Sequence, residues 1–187
     1  MAAMSDWKGD AFLLVNSYTT YETRLEPLIR IDEAIKDFWD TFHTLRIQPV
    51  VRWQLTREQL TQELISWIMK CTTKYVVFYF IGHGGDGDVL FMEDGGTVTT
   101  KEIVETFARL PKEVYKFFFI DACRGTRAGK NEPYCLTLES SLLARSTLPY
   151  QVAHTGDTYG RPSGTPACAE PHAWNACTDQ VVLSVAN

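Results

Sequence analysis

The chain has 187 residues, 45% apolar and 22% charged, which suits one soluble globular domain with a sizeable core. A net charge of −5 gives no electrostatic footprint for nucleic acid or an anionic membrane surface, and the longest apolar run, "YVVFYFI", is far too short to span a bilayer. Five cysteines, an odd and widely spread set, with no basic-then-apolar leader in "MAAMSDWKGD", point to reduced thiols in a cytoplasmic compartment.

In chain order, "AFLLVNS" (11–17) reads as a buried strand. "IDEAIKDFWDTFHTL" (31–45) then sets Ile31, Ala34, Ile35, Phe38, Phe42 and Leu45 at helical spacing. A short "IQPVV" strand follows. Thr56 opens "TREQLTQELISWIMK" with Gln59 at capping-box distance and Leu60, Leu64, Ile65 and Ile68 as the inward stripe. "KYVVFYFI" (74–81) is a continuous β-branched and aromatic run, as a strand buried on both faces requires. A glycine-rich turn and a small "VLFM…GGTVT" hairpin lead to the helix "KEIVETFARL", which Thr99 and Glu102 can cap. "KFFFID" (116–121) closes the series. Strands alternating with helices of this length predict an α/β fold, a mostly parallel central sheet covered by helices on both faces.

Beyond Gly125 the pattern dissolves into Gly, Pro, Ser and Thr. One short helix at most is expected around "LTLESSLLAR", and a strand only at "QVVLSV". The organisation expected is a core over residues 1–125, a flexible loop or processing linker over 126–178, and the start of a further strand over 179–187. Self-processing in that loop or at its end has Arg127, Lys130, Arg145 and Arg161 as basic candidates and Asp157 and Asp179 as acidic ones.

Two strands end in chemistry. "FYFIGHGG" delivers His83 and "FFFIDACRG" delivers Cys123, and ligand sites of open parallel sheets form beyond the carboxyl ends of the strands. A thiol beside an imidazole is the minimal machinery of nucleophilic catalysis: the imidazole takes the thiol proton and the thiolate attacks a carbonyl. Gly84 has no Cβ to keep its N–H from a bound carbonyl, so with the Cys123 N–H it completes an oxyanion hole, each donor contributing on the order of 3 kcal/mol.

At these residues "DACRG", after its apolar strand, resembles the caspase nucleophile signature Q-A-C-[RQG]-G, and "YFIGHGGDG" resembles the His-Gly segment of the same clan, which includes metacaspases and paracaspases. The resemblance runs over about residues 10 to 125 and implies a caspase-like three-layer α-β-α sandwich lacking its C-terminal small-subunit strands. It implies a cysteine endopeptidase acting in apoptosis or immune signalling, with His83 as base, Cys123 as nucleophile, and Gly84 with the Cys123 amide as oxyanion hole. Protein substrates and a homodimer or adaptor are the implied partners; no cofactor and no metal are implied.

The chain departs from caspases at two points. Their glutamine is here Asp121, and the two arginines that hold a substrate aspartate have no clear counterpart: neither Arg24 nor Arg30 sits in an R-x-G match. Residues i and i+2 of a strand share a face, so Asp121 is expected to point into the same cleft as Cys123, where a carboxylate attracts Arg or Lys and repels Asp. Metacaspases and paracaspases are similar in having Asp at this position and cut after basic residues, and "LEPLIRIDEAIKDF" resembles the paracaspase approach to the first helix. Cleavage after Arg or Lys is therefore expected first and after Asp second. Asp121 has two other readings, as a turn cap or as a third member orienting His83.

Other patterns carry less. Cys71 reads as core packing. Cys135, Cys168 and Cys177 with His154 and His172 include no C-x-x-C pair and read as scattered residues. Gly82, Gly84 and Gly87 spell G-x-G-x-x-G, with Glu102 and Glu105 about twenty residues on, but a dinucleotide site needs a helix to open there, and "DVLFMEDGG" reads as strand and turn. The rival from another class is a catalytically impaired clan member that acts by binding a protease or adaptor.

Overall fold

A computed structural model describes residues 7–19, 25, 27–28, 31–85, 88–122, 138–145 and 182–186. In chain order the elements are β1 (Gly9–Val15), α1 (Ile31–Thr44), β2 (Ile47–Trp53), α2 (Arg57–Ile68), β3 (Tyr75–Ile81), β4 (Gly84–Gly85), β5 (Val89–Phe91), β6 (Thr97–Thr99), α3 (Thr100–Thr106), a 3-10 turn (Phe107–Arg109), β7 (Tyr115–Asp121), β8 (Ser141–Arg145) and β9 (Val182–Ala186). The central sheet has the order β2-β1-β3-β7-β8-β9; β4, β5 and β6 make a small sheet of their own. All central pairings are parallel except β8 with β9.

Side-chain alternation sorts the core into two layers. Ala11, Leu13 and Val15 of β1 and Val77, Tyr79 and Ile81 of β3 meet Ile31, Ile35 and Phe42 of α1. Phe12, Leu14, Val76, Phe78 and Phe80 point the other way, onto Leu60, Leu64 and Ile68 of α2 and Ile103 and Val104 of α3. β3 is buried from Val76 to Ile81, so its uninterrupted apolar run has a structural cause: both of its faces are covered. Of the expected helix stripes, Ile31, Ile35, Phe42, Leu60, Leu64 and Ile68 are buried and Phe38 is half-buried. Leu45 falls in the turn after α1 and is exposed, and Ile65 is only half-buried.

Both expected capping boxes form. Thr56 Oγ1 accepts from the Gln59 N–H while Gln59 Oε1 accepts from the Thr56 N–H. Thr99 and Glu102 repeat the arrangement at α3. Each satisfies orphan donors of a first turn, worth about 1 kcal/mol.

One element differs from expectation. Ser141–Arg145 is a strand, not part of a short helix, and it pairs with β7 from Lys116↔Ser141 to Ile120↔Arg145. Leu, Ala and Arg favour helix on their own, but a free edge of β7 and the burial of Leu143 and Ala144 override that local preference. This part of the expected loop therefore belongs to the sheet. The expected terminal strand is present as β9. Lys116, buried at the start of β7, gives its ammonium to the carbonyls of Pro111 and Val114, and burial pulls its pKa below the usual lysine range. No helix among the described residues is long and apolar enough to cross a membrane.

Candidate active site at the carboxyl ends of β3 and β7

β3 and β7 are neighbours, paired in register from Tyr75↔Tyr115 to Ile81↔Asp121. The pairing runs one step further, with the Gly82 N–H donating to the Asp121 carbonyl at 3.2 Å. His83 follows Ile81, the partner of Asp121, by two residues, and in the sequence Cys123 follows Asp121 by two. Ala122 is buried; Cys123 itself lies outside the described residues. Of the expected site residues, the structure gathers His83, Gly84 and Asp121 at one edge.

His83 is half-buried and held through its backbone. Its N–H donates to the Tyr18 hydroxyl at 2.7 Å, and its carbonyl accepts from the Phe91 N–H at 2.9 Å. The rings of Tyr18 and His83 lie 4.6 Å apart between centroids. The Tyr18 hydroxyl donates in turn to the Phe91 carbonyl at 2.8 Å, which also accepts from Asn16 Nδ2 at 3.1 Å. Gly82 allows this closeness: a Cβ there would stand 2.7 Å from the Tyr18 hydroxyl and 2.4 Å from the Phe80 ring. Gly84 opens β4, opposite Leu90 of β5. The glycine-rich segment thus runs into strands β4 and β5 rather than a helix, which removes the structural context of a dinucleotide site; Gly87 lies outside the described residues.

Tyr18 and its anchor were not legible in the sequence. Tyr18 has φ 60, a left-handed conformation that costs a non-glycine residue about 1–2 kcal/mol. It is offset by Glu93, a fully buried carboxylate that accepts the N–H groups of Tyr18 at 2.8 Å and Thr19 at 2.7 Å. A buried carboxylate is tolerable when donors surround it, and these two are charge-assisted bonds. The only hint in the sequence is position: Tyr18 follows the carboxyl end of a parallel strand, where sites form.

Asp121 is half-buried, on the α1 side of the sheet. The Tyr79 hydroxyl donates to its Oδ2 at 3.5 Å. Burial first, then the Asp121 charge and this bond, push the Tyr79 phenol well above the usual tyrosine range, so it remains a donor. One strand away, a cavity of about 260 Å3 opens beyond β1 and β2, lined by Ser17, Leu28, Ile31, Asp32, Trp53 and Gln54; neither His83 nor Asp121 lines it.

Two further charged residues, also absent from the sequence reading as a pair, close the other side. Arg145 donates to Asp88 Oδ2 at 3.0 Å with both side chains 2% exposed. This ties the end of β8 to the hairpin that begins at His83. As a self-processing site Arg145 is therefore excluded in this fold: it is a buried, ion-paired strand residue that no protease cleft can surround. The remaining candidates, Arg127, Lys130, Asp157, Arg161 and Asp179, lie outside the described residues, as do Cys135, Cys168, Cys177, His154 and His172. Cys71 packs against the α2/α3 core, donates to the Trp67 carbonyl at 3.4 Å, and has its pKa pushed up to about 12 by burial and then by Asp10, as befits a packing thiol.

Among curated proteins, none matches the chain. The caspase-domain family model matches residues 11–166, most of the chain and well beyond the stretch in which the two motifs lie, taking in β8. With a mostly parallel sheet between helical layers and His83 and Asp121 at its carboxyl edge, the chain belongs to the caspase-domain family of the caspase-like cysteine peptidase clan.

Proposed function

We propose that the chain is a cysteine endopeptidase in which Cys123 is the nucleophile and His83 the base. The observation that supports this reading is the register of β3 with β7: Ile81 pairs with Asp121, and in the sequence His83 follows the first by two residues and Cys123 follows the second by two. The thiol proton passes to the His83 imidazole and the sulfur attacks the scissile carbonyl carbon. The resulting oxyanion lies between the N–H groups of Gly84 and Cys123. Collapse expels the amine, which takes the proton from the imidazolium and leaves a thioester. Water, deprotonated by His83, then releases the acid. Protein chains are the substrates, cleaved in the cytoplasm in apoptotic or immune signalling.

Asp121 selects the residue before the scissile bond. Its carboxylate, on the α1 side, favours Arg or Lys over Asp, and the neutral Tyr79 phenol holds one carboxylate oxygen without cancelling its charge.

The test is alkylation followed by peptide mapping. At neutral pH, iodoacetamide labels Cys123 ahead of the other cysteines and well ahead of Cys71, whose pKa is pushed up to about 12, and His83→Ala slows the Cys123 reaction. Asp121→Asn lowers cleavage of Arg peptides about tenfold for each 1.4 kcal/mol lost, while Cys123 labelling holds or rises because a nearby negative charge has gone. Equal labelling of all cysteines overturns the dyad and favours the binding-protein rival. A chain that cuts after Asp and ignores Arg overturns the pocket alone.

A further inference from the structure

The loop after β1 and the hairpin after β3 meet around one side chain. Tyr18 is 3% exposed, and its hydroxyl does two things at once: it accepts the His83 N–H at 2.7 Å and donates to the Phe91 carbonyl at 2.8 Å. Its ring lies against the His83 ring, with 4.6 Å between centroids and 38° between planes. Phe91 returns its own N–H to the His83 carbonyl, so the peptide groups on both sides of His83 are fixed by a circuit that passes through Tyr18. The circuit is anchored from outside: Glu93, buried in the turn between β5 and β6, holds the Tyr18 and Thr19 N–H groups and with them the left-handed backbone at Tyr18.

We propose that Tyr18 is a positioning residue for the base of this enzyme, setting the backbone and ring orientation of His83, and that Glu93 is the anchor that holds Tyr18 in place. The proposal rests on the dyad reading above and adds a residue to it. Tyr18 acts through His83, by a hydrogen bond to its backbone and by the contact of the two rings. Its effect is exerted on how well the imidazole meets the thiol, where a displacement of a fraction of an ångström is felt in rate. Carrying the device on two loops also explains why Gly82 lacks a side chain: any Cβ there would collide with the Tyr18 hydroxyl and the Phe80 ring.

Tyr18→Phe keeps the ring and volume and removes the hydroxyl, so the chain still folds. The measurement is the ratio of Cys123 iodoacetamide rates at about pH 6.5 and about pH 9.5. At the higher pH a free thiol is largely ionised without help; at the lower it reacts only through its partner. The expected result is a ratio reduced about tenfold in Tyr18→Phe, towards the value of His83→Ala, with the rate at high pH unchanged. Glu93→Gln, which sets an amide N–H2 against the donors it must accept from, moves the ratio in the same direction. Ile68→Val, a core change in α2 remote from the site, serves as the stability control and leaves the ratio at the wild-type value.

A Tyr18 of merely structural importance lowers thermal stability and leaves the ratio where Ile68→Val leaves it; that result overturns the proposal while the dyad stands. If His83→Ala labels like the wild type, the dyad falls and this proposal with it.

Discussion

The two faces of the central sheet are built to different standards of closure. On the α2/α3 side Phe12, Phe78, Phe80 and Phe118 are all 0% exposed, with Phe107 wedged among them 4.9 Å from the Phe118 ring. On the α1 side Phe38, Phe117 and Phe119 are only half-buried, and the row ends in Asp121 and the Tyr79 hydroxyl. Charge follows the same division. The charge at the carboxyl end of the closed face is a buried pair, Arg145 with Asp88, whereas Asp121 on the open face meets a neutral phenol. On the sealed face the buried ions are met by groups of the protein, Arg145 by Asp88 and Lys116 by the Pro111 and Val114 carbonyls. The open face ends instead in a half-buried carboxylate beside the Tyr79 hydroxyl.

Breaking the sealed ion pair is expected to have the largest effect. Arg145→Ala or Asp88→Ala removes one member of a buried ion pair and costs about 3–5 kcal/mol, and the double substitution costs less than the sum. Urea unfolding of the four proteins reads this directly; additive losses would mean that the two groups do not depend on each other. The next contrast is between adjacent residues of β7. Phe118→Ala empties a closed site and Phe119→Ala a half-open one, so the first costs about 2 kcal/mol more than the second. Equal unfolding midpoints would erase the distinction between the faces.

The smallest effect is at Tyr79. Tyr79→Phe costs about 1 kcal/mol at neutral pH. Because the folded state raises the phenol pKa, it binds that proton more tightly than the unfolded chain does. The stability this contributes is complete below the unfolded value near 10 and is lost as pH rises beyond it. The variant therefore loses less stability than the wild type between about pH 8 and pH 11; parallel curves would show that the phenol ionises as readily in the folded state as in the unfolded chain.

Legibility in the sequence followed the range of the interactions. The capping boxes at Thr56 and Thr99 span three residues and were read correctly, as were β1, β2, β3 and β7, whose apolar runs are local facts. The face of Asp121 follows from strand parity, yet its partner Tyr79 does not, because that contact needs the register of β3 against β7. β8 was missed because "SLLAR" is helical by composition and becomes a strand only beside β7. Tyr18 with Glu93, and Asp88 with Arg145, join residues 75 and 57 positions apart through loop placement, and no periodicity records such pairs.

The same separation bears on the order in which the molecule comes together. The first strand of the chain lies between the second and third, so each parallel pairing waits for a crossover to close, and sheets dominated by distant pairings form slowly. The left-handed turn at Tyr18 waits longer than β1 itself: the carboxylate that stabilises it belongs to a hairpin made after β3. A chain emerging from its amino end can thus lay down β1, α1, β2 and α2 before His83 has a seat, and the carboxyl edge of β3 and β7 is set late in folding, after most of the scaffold that carries it.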